Sequence, residues 1–250
     1  MITPRELEQL VAQIAPPEAA EEWDNVGLLL DSGAPTDRIL FALDATVQAV
    51  EEAKNLGCGV IVTHHPLIFH PLRRIEAGSP VQLAAKAGIS VISAHTNFDT
   101  AAGGVNDLLA EMFGLLDVCG AADIGRAGTL PQGSMSAAEF AAHVKQTLGL
   151  GAVSAVDGGV PVHRVLVIGG GGGSYIGRVK EAGCDTLLTG EAAHHELLQA
   201  KQEGINMVVA GHFATEDPTM QGLCAAVQRL VGERAVCVLS KENRDPAFYL

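Results

Sequence analysis

Residues 54–63 read K-N-L-G-C-G-V-I-V-T, and residues 180–189 read K-E-A-G-C-D-T-L-L-T. The shared pattern K-x-x-G-C-x-x-[IL]-[VL]-T returns after 126 residues. Upstream, R-I-L-F-A-L-D from Arg38 lies over R-V-L-V-I-G-G from Arg164 at the same offset. Downstream, K-A-G-I-S-V-I-S-A-H from Lys86 lies over Q-E-G-I-N-M-V-V-A-G from Gln202 at an offset of 116. The first copy therefore carries ten extra residues, most simply within PLIFHPLRRIEAGSP (66–80). We read this as an internal duplication.

Each copy alternates short apolar runs with helical stretches. RILFAL, CGVIVTHHP and ISVISAHTNFD read as strands, separated by the helices ATVQAVEEAKNLG and VQLAAKAG. In the second copy HRVLVIGGGGG, CDTLLTGE and INMVVAGHFATE are the strands, with SYIGRVKEAG and AAHHELLQAKQEG as helices. DPTMQGLCAAVQRLVG then reads as a helix and AVCVLS as a last strand. Gly57, Gly88, Gly183 and Gly204 stand at matched helix ends. Such alternation specifies an α/β fold with mainly parallel sheets in three layers. The expected organisation is a first half over residues 1–118, a connecting segment with a short αβ over 119–163, and a second half over 164–250. The C-terminal segment can pack back on the first half. GRAGTLPQGSM (125–135) reads as linker and SAAEFAAHVKQTLG as a short helix. At the N-terminus, Thr3-Pro4 with Glu6 is a helix start that runs to about Ile14.

Composition agrees. Hydrophobic residues make up 48% and charged residues 18%, which excludes a disordered chain. Glycine stands at 29 residues without a collagen period, so it marks turns and close backbone approaches. The net charge of −13, with 16 Lys and Arg, opposes a phosphate-binding surface and an anionic membrane alike. No apolar run reaches the ~18 residues of a membrane span. The N-terminal segment is charged and is not expected to be a signal peptide. Five widely spaced cysteines without C-x-x-C suggest neither a zinc ribbon nor a redox pair, and point to a reducing cytoplasm. The count that calls for explanation is nine histidines beside two tyrosines and one tryptophan.

Open α/β sheets bind ligands outside the carboxyl ends of their strands. The repeat sets Thr63-His64-His65 over Thr189-Gly190-Glu191, and residues 95–99 over 211–216. These polar ends are expected to converge on one cleft between the halves. His64 and His65 follow an apolar strand directly; in extended chain, neighbours point opposite ways, so the pair can serve two ions. Asp99 is an oxygen ligand or the cap of the next helix. His95 is a ligand or an orienting donor. His212 and Glu216 stand four apart, on one face if a helix starts there; otherwise Glu216 is a solvated first-turn carboxylate. Imidazole and carboxylate without thiolate point to Zn, Fe, Mn or Co.

Other residues keep two readings. Glu191 is a general acid/base or an orienting group near the metals. Asp44 lines the cleft and binds substrate, or caps a helix. His194 and His195 reach the cleft or lie exposed on a helix. Gly169–Gly173 is a flexible turn, or its N–H groups, at Gly170 and Gly171 above all, cradle an anionic substrate. His70, His143 and His163 are expected to be bystanders, Arg73-Arg74 a solvated rim, and Trp23 a packing residue beside a capping or cleft-lining Asp24-Asn25.

Taken together, EWDNVGLLL, VTHHPLIF, SAHTNFD, TGE and GHFATE resemble the motifs of the GTP cyclohydrolase I type 2 homologues, the YbgI-like dinuclear-metal-centre proteins. The resemblance runs in order from Trp23 to about Glu216. It implies two interlinked α/β domains assembled into a toroidal homohexamer. It also implies two divalent ions per chain on His64, His65, Asp99, His212 and Glu216, with a small-molecule substrate. Relatives with an inserted domain differ from this compact form. The reading at this stage is a metal-dependent hydrolase using a metal-bridging water, with a non-catalytic metal-binding or metal-delivery protein as the alternative.

Overall fold

A computed structural model describes residues 1–248 of the chain. In chain order the elements are α1 (Pro4–Ile14), β1 (Gly27–Leu30), β2 (Arg38–Ala42), α2 (Val47–Leu56), β3 (Val60–Thr63), α3 (Pro80–Ala87), β4 (Ser90–Ser93), α4 (Thr96–Thr100) and α5 (Val105–Met112). There follow β5 (Leu116–Ala121), β6 (Gly125–Thr129), α6 (Ala137–Thr147), β7 (Ser154–Val156), β8 (Arg164–Ile168) and β9 (Thr186–Thr189). The chain continues with α7 (His194–Glu203), β10 (Asn206–Val209), α8 (His212–Glu216), α9 (Met220–Val231) and β11 (Val236–Leu239).

These elements form two compact units. The first comprises Met1–Gly104 with Met220–Arg244, and the second Val105–Thr219 with residues 245–248. The division thus falls neither at residue 118 nor at residue 163. The helix α9 and the strand β11 belong to the first unit, where β11 pairs in parallel with β2.

The first unit holds a five-stranded sheet in the order β1-β4-β3-β2-β11, with only β1 antiparallel. The second holds a six-stranded sheet in the order β5-β6-β8-β9-β10-β7, parallel through β8-β9-β10 and antiparallel at its flanks. The parallel triplets β2-β3-β4 and β8-β9-β10 are the two copies of the sequence repeat.

Their cores match position by position. Leu40, Val50, Ala53, Cys58 and Ile61 cluster in the first unit, and Leu166, Ile176, Val179, Cys184 and Leu187 cluster in the second, each 126 residues on. Ala84, Ile89 and Val91 recur as Ala200, Ile205 and Met207, 116 residues on. Burying each of the Val, Leu, Ile and Met side chains among them contributes roughly 1.5–3 kcal/mol, so the repeated apolar pattern imposes the same packing twice. The backbone ties repeat as well. Cys58 N–H donates to Ala53 O as Cys184 N–H donates to Val179 O, and Ala94 N–H donates to Thr63 O as Ala210 N–H donates to Thr189 O.

The N-terminal helix start forms as a full capping box: Thr3 receives the Glu6 N–H and the Glu6 carboxylate receives Thr3 N–H. Three expectations are corrected. Residues 125–129 are not linker but strand β6, and a Cβ at Gly125 would stand 2.7 Å from Ile168 and one at Gly128 2.7 Å from Leu115. Glycine there serves close strand approach. SYIGRVKEAG forms a 3-10 turn over Gly172–Arg178 instead of an α-helix, consistent with its glycine content. Gly183 accordingly ends no α-helix, although Gly57, Gly88 and Gly204 cap theirs in the left-handed conformation. Trp23, read as a packing residue, is 59% exposed and rests its ring against Phe69. Among the described residues, no helix is long and apolar enough to cross a membrane.

Candidate metal centre

In the first unit, β3 ends at Thr63 and the chain bends, so His64 and His65 lie outside extended structure. One ring nitrogen from each of His64, His65 and His95 falls within 4.8 Å of the other two. His95 enters the cluster from the end of β4, just before α4. Asp99 lies inside α4, and its Oδ1 stands 3.5 Å from His64 Nε2.

Every one of these imidazoles is held by its Nδ1. His64 Nδ1–H donates to the Ala94 carbonyl at 2.8 Å. His65 Nδ1–H donates to Asp44 Oδ1 at 2.8 Å, and His95 Nδ1–H to Asp24 Oδ1 at 2.8 Å. Oxygen of a carbonyl or carboxylate only accepts, so the proton is on Nδ1 and Nε2 carries the lone pair. Asp44 is thereby placed to orient His65, and the capping alternative is set aside: the cap of α2 is Thr46.

Asp24 is more tightly held. Its side chain has no exposed surface and accepts from His95, from Asn25 N–H at 2.7 Å, and from Thr96 N–H and Oγ1–H at 3.0 and 2.5 Å. Burial pushes its carboxyl up, and the hydrogen bonds from His95 and Thr96 outweigh that and hold it far below the usual carboxylate range. It is a fixed anion. Trp23, next along the chain, sets its ring 5.8 Å from Phe69 and 6.1 Å from His95.

In the second unit, α8 places His212 and Glu216 on one face, with His212 Nε2 3.0 Å from Glu216 Oε2. Glu191 Oε2 lies 3.2 Å from His212 Nδ1, placed to accept a proton from it. The Glu191 carboxylate thus orients an imidazole. With the proton on Nδ1, the Nε2 lone pair faces a carboxylate oxygen at hydrogen-bond distance, an approach that a cation between them makes favourable.

The glycine run packs against this pair. A Cβ on Gly170 would stand 2.0 Å from Glu216 Oε1 and 3.1 Å from His212 Nε2, and its φ of +59° already favours glycine. The expected anion cradle is not built. Gly169 N–H donates to Asn106 Oδ1, Gly170 N–H to Thr215 Oγ1, Gly172 N–H to Thr189 Oγ1 and Gly173 N–H to Glu191 O. Only Gly171 of the run spends no N–H in this way, and one donor makes no cradle. His194 and His195 open α7 and are exposed, as are His70 and His163, while His143 rests its ring 6.0 Å from Phe113.

Both donor sets suit a borderline divalent ion: imidazole Nε2 with carboxylate oxygen, no thiolate, and outer partners on every Nδ1. The orienting role of Asp24 was not legible from residue spacing, and the Ala94 carbonyl has no signal in the sequence at all.

The profile of the Duf34/NIF3 (NGG1p interacting factor 3) family matches residues 2–246. A Clostridium perfringens protein named GTP cyclohydrolase 1 type 2 homolog is 32% identical over 255 residues, covering 96% of this chain and 97% of that protein. The Schizosaccharomyces pombe protein NIF3 homolog is 32% identical over 273 residues, covering 96% and 95%. The crystal structure of a Bacillus cereus protein related to NIF3 superimposes with a TM-score of 0.91 at 26% identity, covering 99% of each chain.

Proposed function

This chain belongs to the Duf34/NIF3 family, and from that premise and its two donor sets we propose that it is a metal-dependent hydrolase with two divalent ions per chain. His64, His65, Asp99, His212 and Glu216 hold the ions, and His95 joins them from its cluster with His64 and His65. The observation that carries this reading is a common arrangement: each of the four imidazoles sets its Nδ1 against a protein oxygen at 2.8–3.2 Å, which leaves Nε2 to face the cluster of donors. Ions of this kind, when bound, supply Lewis-acid activation of a substrate oxygen and bring the pKa of a water towards neutrality. Asp24, Asp44 and Glu191 hold the ring protons, and Gly170 leaves the Glu216 carboxylate its place. Zn, Fe, Mn and Co all fit the donor chemistry.

The cyclohydrolase name of the relatives makes GTP ring opening the first substrate to test, followed by amides and phosphoesters. One observation favours the second reading, a metal-binding or metal-delivery protein. Glu191, the candidate acid/base, is engaged with His212 Nδ1. By resemblance we also propose a cytoplasmic, toroidal homohexamer, without membrane or nucleic-acid partners; a monomer in sedimentation velocity would overturn the assembly.

Elemental analysis of protein purified without added metal, with hydrolysis assays on the same samples, tests the function. We expect two ions per chain, lost in His65→Ala and Glu216→Ala, and metal-dependent turnover. Stoichiometric metal without turnover of any substrate supports delivery. Two ions persisting in the double variant would overturn the ligand assignment.

A further inference from the structure

The last described segment of the first unit is tied back to the metal-binding end of its sheet. After β11, Ser240 N–H donates to Phe41 O at 2.8 Å. The Glu52 carboxylate, on α2, accepts from Ser240 Oγ–H at 2.5 Å and Lys241 N–H at 2.9 Å. Asn243 N–H closes the turn on Ser240 Oγ at 3.1 Å. So held, Asn243 directs its Oδ1 at the N–H of Asp44, 2.9 Å away.

Asp44 is the residue that needs bracing. Its side chain is 40% exposed, so its own packing does not fix it, yet its Oδ1 receives the Nδ1 proton of His65. The preceding Leu43 carbonyl accepts the His65 N–H at 3.0 Å. The Leu43-Asp44 dipeptide thus grips His65 twice, from one side, and Asn243 holds the dipeptide from the other. Two residues 199 positions apart in sequence meet here.

We propose that Asn243 is a positioning residue for His65, acting through the Asp44 backbone, so that the C-terminal segment sets the orientation of a metal-ligating imidazole. This rests on His65 being a metal ligand. Asn243 touches neither the ring nor an ion. Its contribution is to keep the Asp44 carboxylate where the ring needs it, and an oxygen acceptor at position 243 is the only chemistry required.

The test uses the full chain and the variants Asn243→Ala and Asn243→Asp, the second retaining an oxygen acceptor. Side-chain ¹⁵N NMR of the metal-free protein reads the His65 tautomer, and Zn²⁺ affinity is read by competition with a chromophoric chelator. We expect Asn243→Ala to mix the His65 tautomers and weaken Zn²⁺ about 10-fold, at the lower end of what an outer partner contributes. Asn243→Asp is expected to restore both. An unchanged tautomer in Asn243→Ala overturns the proposal, as does equal loss in both variants together with a lowered melting temperature. If wild type binds no Zn²⁺, the metal reading fails, and the tautomer measurement still decides the role of Asn243.

Discussion

In the first copy of the repeat, positions 44 and 65 are an aspartate and a histidine joined by a 2.8 Å hydrogen bond. In the second copy the same frame, 126 residues on, carries Gly170 and Glu191. There the carboxylate has moved to the later position, and it orients an imidazole delivered from α8. Position 170 must be empty, because Glu216 occupies the space its Cβ would need. The shared buried residues dictate where the strand ends stand. They do not dictate what the strand ends carry, since the residues there answer to their own local neighbours. Duplication kept the frame and let the chemistry diverge.

The comparison is broken most directly in the two cores. Ile61→Ala and Leu187→Ala remove fully buried side chains at matched positions, and each should cost about 2–5 kcal/mol in chemical denaturation. A large loss at one and none at the other would show that the copies no longer share a packing. The next effect concerns the outer carboxylates. Asp44→Ala and Glu191→Ala should each weaken Zn²⁺ about 10–100-fold by chelator competition. Asp44 should be the larger, being 40% exposed against 64% and closer to its ring. The reverse order would mean that the second unit dominates binding.

Glycines sharpen the contrast at smaller cost. Gly57 and Gly170 both have positive φ, but a Cβ on Gly57 meets nothing within 4 Å. Gly57→Ala should cost about 1 kcal/mol in thermal unfolding and leave metal binding alone. Gly170→Ala should lose metal as well, because Glu216 must move. Last come the matched thiols. Burial pushes the Cys58 thiol up, and burial pushes Cys184 up to about 11. The thiolate is the reactive form and forms only as pH rises towards that value. At pH 8 iodoacetamide should therefore label exposed Cys119 well before Cys58 or Cys184, by peptide mass spectrometry.

Much of this was legible in the sequence. The repeat, the strand–helix alternation, the caps at Gly57, Gly88 and Gly204, and the i, i+4 pair His212 and Glu216 all follow from local spacing. Strand β6 was hidden because its glycines read as linker; they are there for close contact with Ile168 and Leu115, partners that spacing does not reveal. The 3-10 turn after β8 was read as a helix because its apolar pattern outlasts its helix propensity. Trp23 packs as its type suggests, but spacing did not reveal that it does so at the surface, beside His95 and Phe69.

The sequence by itself determined the duplicated α/β scaffold and offered the candidate donor residues, because apolar period and donor type are local properties of the chain. Only the tertiary structure decided which nitrogen each imidazole presents. That choice belongs to Ala94, Asp44, Asp24 and Glu191, at 30, 21, 71 and 21 residues from the rings they hold. A hydrogen bond depends on distance in space, and the chain brings such residues together only once its apolar strands are packed.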